Sequence, residues 1–470
     1  MTSTANLAAP SPAGRGAGVV RRLRATFESG RTRDLAWRLH QLDQVGRLLR
    51  DAEEEIVEAL AADLGRPRFE AWLGDLRTTA RDAAHIRRNL RRWVADVKVR
   101  PPLPLLGTRP RIVREPLGVV LVIAPWNYPV HLAVSPMVAA LAAGNVAVVK
   151  PSELTPHASG VLARLLPEYL DPDAVAVVEG GVEATQDLLR ERFDHVFYTG
   201  NGRVGREVMA AAAAHLTPVT LELGGKSPVV VDRDADLVAA AERIVFAKML
   251  NAGQSCVAPD YVLVHRDVEQ GLLDGLTAAI RDRYGIVPAA SAELGRIVSD
   301  RHVERLAGLL DGGGYEAVEC GGEVDRAQRY VAPTVLSGVR LDAPVMAEEI
   351  FGPILPVVAV DDIDEALAVV RAGDKPLALY VFSRSAATVE RVLAATSSGA
   401  VGVNDAATHM LVEHLPFGGV GASGMGAYHG RWGVETFSHR KAVLERPGWM
   451  KGPLSPPYGP VMQKVLRKVL

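Results

Sequence analysis

Cysteine is scarce in this chain. Its 470 residues include two, Cys256 and Cys320. So few thiols exclude a disulfide framework and suit a reducing compartment, so a cytoplasmic location is expected. A surplus of basic charge is also missing: Lys plus Arg total 53 against 55 for Asp plus Glu, a net charge of −2. Nucleic-acid-binding chains usually carry a basic excess, so no nucleic-acid partner is expected. Long apolar runs are absent as well; the stretch from Val119 to Pro125 is far too short to span a bilayer. Met1 to Gly18 lacks the apolar core of a signal peptide. It is rich in Ala, Pro, Ser and Gly and reads as a disordered lead-in. The twelve histidines show no pair at metal-ligand spacing beside a carboxylate and no clustering with cysteine, so no metal is expected.

What is present is ordinary for a soluble globular protein: 48% hydrophobic and 23% charged residues, in a chain long enough for two or three domains. From Val19 to Val97 the pattern is helical, with an apolar stripe at Leu35, Leu39, Leu42, Val45, Leu48 and Leu49. Pro101, Pro102 and Pro104 then forbid a helix interior, and Arg109 to Pro116 reads as a half-exposed strand. Gly118 to Pro125 has the unbroken apolar character of a buried parallel strand. Helical and strand patterns alternate from there to His215, which predicts a doubly wound α/β sheet. A second α/β set follows Pro228. The tail from Pro447 is proline-interrupted and ends in a basic amphipathic stretch, Val461 to Leu470, with Lys464, Arg467 and Lys468. Docking of that helix on its own protein is the expectation, and peripheral membrane contact is the alternative.

Two short stretches carry chemistry. Lys248-Met-Leu-Asn-Ala-Gly-Gln-Ser-Cys256 ends a helical run, turns at Asn251, Ala252 and Gly253, and presents a thiol before the strand-like Tyr261 to Val264. A thiol is nucleophilic only as thiolate, so a catalytic Cys256 needs an activating neighbour. The alternative is a buried cysteine acting as a small hydrophobe. Leu221-Glu222-Leu-Gly-Gly-Lys-Ser-Pro228 places a carboxylate among apolar neighbours ahead of a Gly-Gly turn. Such a group is either a solvated strand end or one held for proton transfer.

Together these stretches resemble the two signatures of the aldehyde dehydrogenase superfamily. The spacing from Glu222 to Cys256 is similar to that of its class 3 branch. So are the runs from Thr199 to Glu222 and from Leu415 to Gly430. The resemblance covers the chain from about Val20 to Tyr458. It implies an α/β fold with a Rossmann-like cofactor domain over residues 19–98 and 115–224, and a catalytic α/β domain over 225–432. An oligomerisation arm is implied over 99–114 and 433–446, between the lead-in of 1–18 and a tail of 447–470. NAD is the implied cofactor, with NADP as an option, and a homodimer is the implied assembly.

The resemblance also assigns roles. Cys256 becomes the nucleophile, Glu222 the base that activates water, and Asn127 the oxyanion donor together with the Cys256 N–H. Lys150 and Glu153, beyond the strand Val146 to Val149, would hold ribose hydroxyls; a solvated loop pair is the alternative. Glu153 should repel a 2′-phosphate and so favours NAD, although the branch often takes both cofactors. Gly200-Asn-Gly-Arg-Val-Gly205 matches a dinucleotide fingerprint literally. It comes too late in the alternation to be one, so Gly200 and Gly205 are kept as diphosphate candidates and Glu222 is not assigned to a ribose. Glu349 and Phe351, in Glu348-Glu-Ile-Phe-Gly-Pro353, would grip the nicotinamide ribose and pack near its ring, with Trp126 beside them. Tyr128, Ser255, Asn404 and Phe417 would wall the substrate pocket. A CoA-acylating relative would lack the carboxylate at Glu222, and a non-catalytic protein would have no need of all these residues together.

Overall fold

The computed structural model describes residues 15–450 and 459–469. The first helix begins at Arg15, inside the segment expected to be an irregular lead-in, whose residues 1–14 lie outside the described part. The apolar stripe of Leu35–Asp51 is buried at Leu42, Val45, Leu48 and Leu49, and Asp34 caps that helix by accepting from the N–H groups of Ala36 and Trp37.

Two sheets organise the molecule. The first uses β1 (Val119–Ile123), β2 (Val146–Lys150), β3 (Val175–Val177), β4 (His195–Gly200) and β5 (Val219–Leu223). They run parallel in the order β3-β2-β1-β4-β5. β1 and β2 are buried along their whole length, which is why they read as unbroken apolar runs. The chain leaves β1 to build first on one side and then on the other. A crevice therefore opens beyond the carboxyl ends of β1 and β4, where such sheets take their ligands. The helix after β1, His131–Ala143, is buried throughout.

The second sheet contains β6 (Pro228–Val231), β7 (Tyr261–His265), β8 (Ala317–Cys320), β9 (Thr334–Ser337), β10 (Ile354–Val360), β11 (Ala378–Phe382) and β12 (Ala400–Val403). Their order is β8-β9-β10-β7-β6-β11-β12, parallel except at β8. One detail departs from the sequence reading. Gly424–Met425, expected to belong with this second unit, instead pairs antiparallel with β5 and sets Gly424 opposite Glu222.

Strands Val97–Lys98, Arg109–Pro116 and Ser438–Glu445 form a separate antiparallel arm. The last described helix, Pro460–Val469, lies beside the turn Leu103–Leu105, which connects the first two strands of that arm. Among the described residues no helix is long and apolar enough to cross a membrane.

Candidate active site

Cys256 sits just past the end of the helix Leu237–Met249, after a tight turn. Asn251, Ala252 and Gly253 all take left-handed backbone, with φ of 53°, 53° and 77°. An L-residue there costs about 1–2 kcal/mol, so surrounding contacts must hold the turn. Those contacts are visible. A Cβ at Gly253 would collide with the carbonyl of Gly352. Gln254 is sealed from solvent. Its amide donates to the carbonyls of Asn251 and Arg296 at 2.9 and 3.0 Å, and accepts from the Val298 N–H at 2.9 Å.

The turn is tied to the end of β1. Asn251 Nδ2 donates to the Asn127 carbonyl at 2.9 Å, and Asn127 Nδ2 donates to the Gln254 carbonyl at 3.2 Å. A third partner comes from far away in sequence. Arg66 is fully buried and paired with Asp75; its guanidinium donates to Asn251 Oδ1 at 3.2 Å and to the Asn127 carbonyl, and lies over the Tyr128 ring. Asp75 in turn accepts the N–H groups of Val130 and His131, both at 2.9 Å. Sequence reasoning missed Arg66, Glu70 and Asp75, because nothing in the local pattern links residues 66–75 to residue 251.

Cys256 and Glu222 line one cleft of about 980 Å³, partly open to solvent. Its walls include Tyr128, Ser255 and Phe417, together with His131, Phe246, Tyr428 and His429. Asn404 is not among them. Its side-chain amide is spent on the backbone of Ser383, accepting from its N–H at 3.0 Å and donating to its carbonyl at 2.9 Å. Residue 404 thus ties the end of β12 to the turn after β11.

The cleft suppresses charge. Burial pushes the Cys256 thiol up to about 12, and the nearby carboxyls of Glu349 and Glu222 add to this; backbone N–H groups of Cys256 and Val257 pull the other way. Burial also raises Glu222 well above the usual carboxylate range, and neither of its oxygens has a hydrogen-bond partner. A buried carboxyl without partners is costly unless it serves a ligand or reaction.

The other expected residues gather around the crevice. Lys150 ends β2 and is buried; its ammonium donates to the Pro151 carbonyl at 2.7 Å and to Glu153 at 3.3 Å. Burial lowers its pKa. Gly200 ends β4, where a Cβ would strike the Tyr198 hydroxyl, and a Cβ at Gly205 would press on Leu223 at 3.1 Å. Both glycines therefore have packing reasons of their own. Asn201 caps the helix Gly202–Ala213 by accepting from Val204 N–H at 3.0 Å. The fingerprint-like turn follows the fourth parallel strand in chain order, not the first, as its late position implied. The Glu349 carboxylate lies over Gly224, where no side chain would fit. Burial pushes Glu349 up to about 8, with Asp260 adding to the rise. Phe351 has φ of 49° and meets Trp126 edge-on at 5.2 Å between ring centres. Lys248 was not singled out beforehand. Its Nζ is buried without a partner, and burial lowers it to about 8.

The family model described as the aldehyde dehydrogenase family matches residues 17–443. Aldehyde dehydrogenase family 3 member A2 of Mus musculus is 48% identical over 425 residues, spanning 90% of this chain and 87% of that protein. The dimeric NADP-preferring aldehyde dehydrogenase of Canis lupus familiaris is 44% identical over 96% of this chain and 98% of its own. Among solved structures, the substrate-bound state of Staphylococcus aureus AldH superposes with a TM-score of 0.94 at 41% identity, covering 96% of this chain and 99% of that one. The fold, the signature stretches and these likenesses agree: this chain belongs to the aldehyde dehydrogenase family, in its class 3-like branch, and is an oxidoreductase acting on aldehydes.

Proposed function

We propose that this chain oxidises an aldehyde to a carboxylic acid through a covalent adduct on Cys256. The observation that carries the reading is that Cys256 and an unpartnered Glu222 share one cleft, while Asn127 is bonded to the turn that bears the nucleophile.

The residues that would hold a dinucleotide fit one chemically. At the end of β2, Lys150 offers donors and the half-exposed Glu153 offers acceptors, a set that suits a ribose diol. When bound, the cofactor supplies the hydride acceptor and, in its oxidised form, a positive charge. NAD is favoured because Glu153 disfavours a 2′-phosphate; NADP is accepted as the second option, consistent with the NADP-preferring relative.

The chain's own steps follow from the geometry. Cys256 Sγ attacks the carbonyl carbon once its proton has passed to bulk water, directly or by way of Glu222, which is left as a carboxylate. The Asn127 amide and the Cys256 N–H stabilise the oxyanion of the thiohemiacetal, where losing one donor typically costs about a hundredfold or more. After hydride loss the acyl group is held as a thioester. Glu222 takes a proton from water, the resulting hydroxide attacks the thioester, and the acid leaves as the Cys256 thiol is restored. Burial disfavours the charged form of both groups in the unliganded cleft, so the thiol needs a change in its surroundings before it ionises. A homodimer formed through the arm and a cytoplasmic location complete the proposal, supported by a relative named dimeric.

The test is pre-steady-state NADH formation by Glu222→Gln. A single burst with little further turnover is expected. Unchanged steady turnover would remove Glu222 from water activation.

A further inference from the structure

We infer that the cleft selects aldehydes carrying a carboxylate at the far end of an apolar body, and that Arg77 and Arg81 at its outer end receive that group. The inference rests on the aldehyde-oxidising reading above and adds a substrate class to it.

The cleft that holds Cys256 continues into a second cavity of about 430 Å³. The two share Leu73, Thr78, His131, Met410, Leu411 and His429 as walls. Their chemistry differs. No Lys or Arg lines the inner cleft, and its carboxyls are Glu70 and Glu222. Glu70 serves the turn before Cys256, accepting the Asn251 N–H at 2.9 Å. An anionic group is therefore disfavoured beside Cys256 and is directed outward. The outer cavity adds Arg77, Arg81, Asp82 and Glu413 to the shared walls.

Arg77 ends the helical turn Trp72–Arg77, and Arg81 lies one turn further on, in the helix Thr78–Trp93. Arg77 has no hydrogen bond or ion pair among the described residues. Arg81 uses only Nε, on Glu413 at 3.2 Å, which leaves its terminal nitrogens free. The acids of this cavity are already committed. Glu413 is shared between Arg81 and His85, the latter at 3.3 Å. Asp82 is buried and accepts from the Ser135 hydroxyl at 2.5 Å and the Gly430 N–H at 3.1 Å. Two guanidinium groups with unused donors match the planar, bidentate geometry of a carboxylate. Like charges one helical turn apart also repel, which a bound anion relieves.

The same helix extends the positive field. At about 3.6 residues per turn, positions 77, 81, 88 and 92 fall on one face, and all four are exposed arginines. Arg88 has no ion pair or hydrogen bond among the described residues, and Arg92 donates only to the neutral amide of Asn89, at 3.1 Å. Arg87, off this face, is the one that pairs with Asp43. A row of cations leading to a cavity mouth raises the local concentration of an anionic substrate.

The experiment uses the holoenzyme at saturating NAD and a ladder of ω-oxo acids, starting beyond the length that closes a ring. Each is compared with the ω-hydroxyaldehyde of equal length, which is polar at that end but neutral. The readout is the ratio of kcat/KM between acid and hydroxyaldehyde, in which any general effect of a substitution on the fold cancels. We expect the acid to be preferred about fivefold, equivalent to about 1 kcal/mol, over one window of lengths. Shorter acids, whose carboxylate stays in the inner cleft, should be disfavoured. Raising the ionic strength from about 0.01 M to about 1 M shortens the Debye length from about 30 Å to about 3 Å and should remove most of the preference. Arg77→Gln should lower the ratio, and Arg77→Gln combined with Arg81→Gln should abolish it. Equal oxidation of acid and hydroxyaldehyde at every length, a preference insensitive to salt, or a ratio unchanged in the double variant would each overturn the inference. Oxidation of the hydroxyaldehydes themselves reports on the dehydrogenase reading separately.

Discussion

Arg66 and Asn251 are joined by a 3.2 Å hydrogen bond from Nε to Oδ1, although 185 positions separate them in the chain. The same guanidinium reaches the Asn127 carbonyl and the buried carboxylate of Asp75. One side chain therefore touches both the strand end that bears Asn127, the proposed oxyanion donor, and the turn that leads to Cys256, the proposed nucleophile.

Removing that link should damage stability and rate together. Arg66→Met leaves Asp75 buried without its cation, which should cost about 3–5 kcal/mol. The loosened Asn127 should lower kcat by about a hundredfold. Chemical denaturation and steady-state kinetics on the same preparation check both; a stable variant with normal kcat would show that Asn127 and the turn hold their geometry without Arg66.

The suppressed ionisation of Cys256 has a direct chemical readout. With the Cys256 thiol pushed up to about 12, its alkylation by iodoacetamide in cofactor-free protein should be slow at neutral pH. The rate should climb about tenfold per pH unit with no plateau below about pH 10. Site-resolved mass spectrometry separates it from Cys320. A plateau near pH 7 would mean that the resting cleft already holds a thiolate.

Glycine substitutions distinguish a strained turn from a permissive one. Gly253→Ala meets a left-handed backbone and the Gly352 carbonyl at once. It should lose about 1–2 kcal/mol from backbone strain alone, more from the collision, and most activity. Gly202→Ala, whose added Cβ meets only the Arg206 guanidinium at 3.6 Å, should be nearly silent. Thermal melting of the pair is decisive, and a Gly202→Ala protein as damaged as Gly253→Ala would show that the turn before Gly202–Ala213 tolerates no side chain at 202.

The oxyanion assignment predicts a rate effect beyond any loss of stability in one variant. Asn127→Asp keeps the shape but replaces the amide donor at Gln254 and at a substrate oxyanion. kcat should fall about a hundredfold or more. If single-turnover NADH formation is unaffected, the oxyanion donor lies elsewhere.

Much of this was legible in the sequence because family-specific chemistry concentrates in short runs. Glu222 and Cys256 stand in such runs, and the apolar stretches of β1 and β2 announce buried parallel strands. What escaped reading were contacts between distant segments. Arg66, Glu70 and Asp75 occupy helical positions that look like any charged surface, and their burial depends on where the N-terminal helices dock. Asn404 illustrates the same limit of local pattern. Its neighbourhood resembles a pocket wall, but a left-handed backbone, with φ of 51°, accompanies an amide committed to Ser383. Gly424–Met425 joined the first sheet because pairing with β5 is a tertiary choice that local pattern does not encode.

The bracing of the Asn251 turn by residues 66–75 also has a temporal meaning. During synthesis those braces leave the ribosome long before the cysteine they support. The setting of Cys256 is therefore assembled by closing one of the long loops of the chain, a contact of high sequence separation that is slow to form. Helices and strands can be in place while the protein is still chemically inert, and the onset of activity marks the moment at which the two ends of that loop meet.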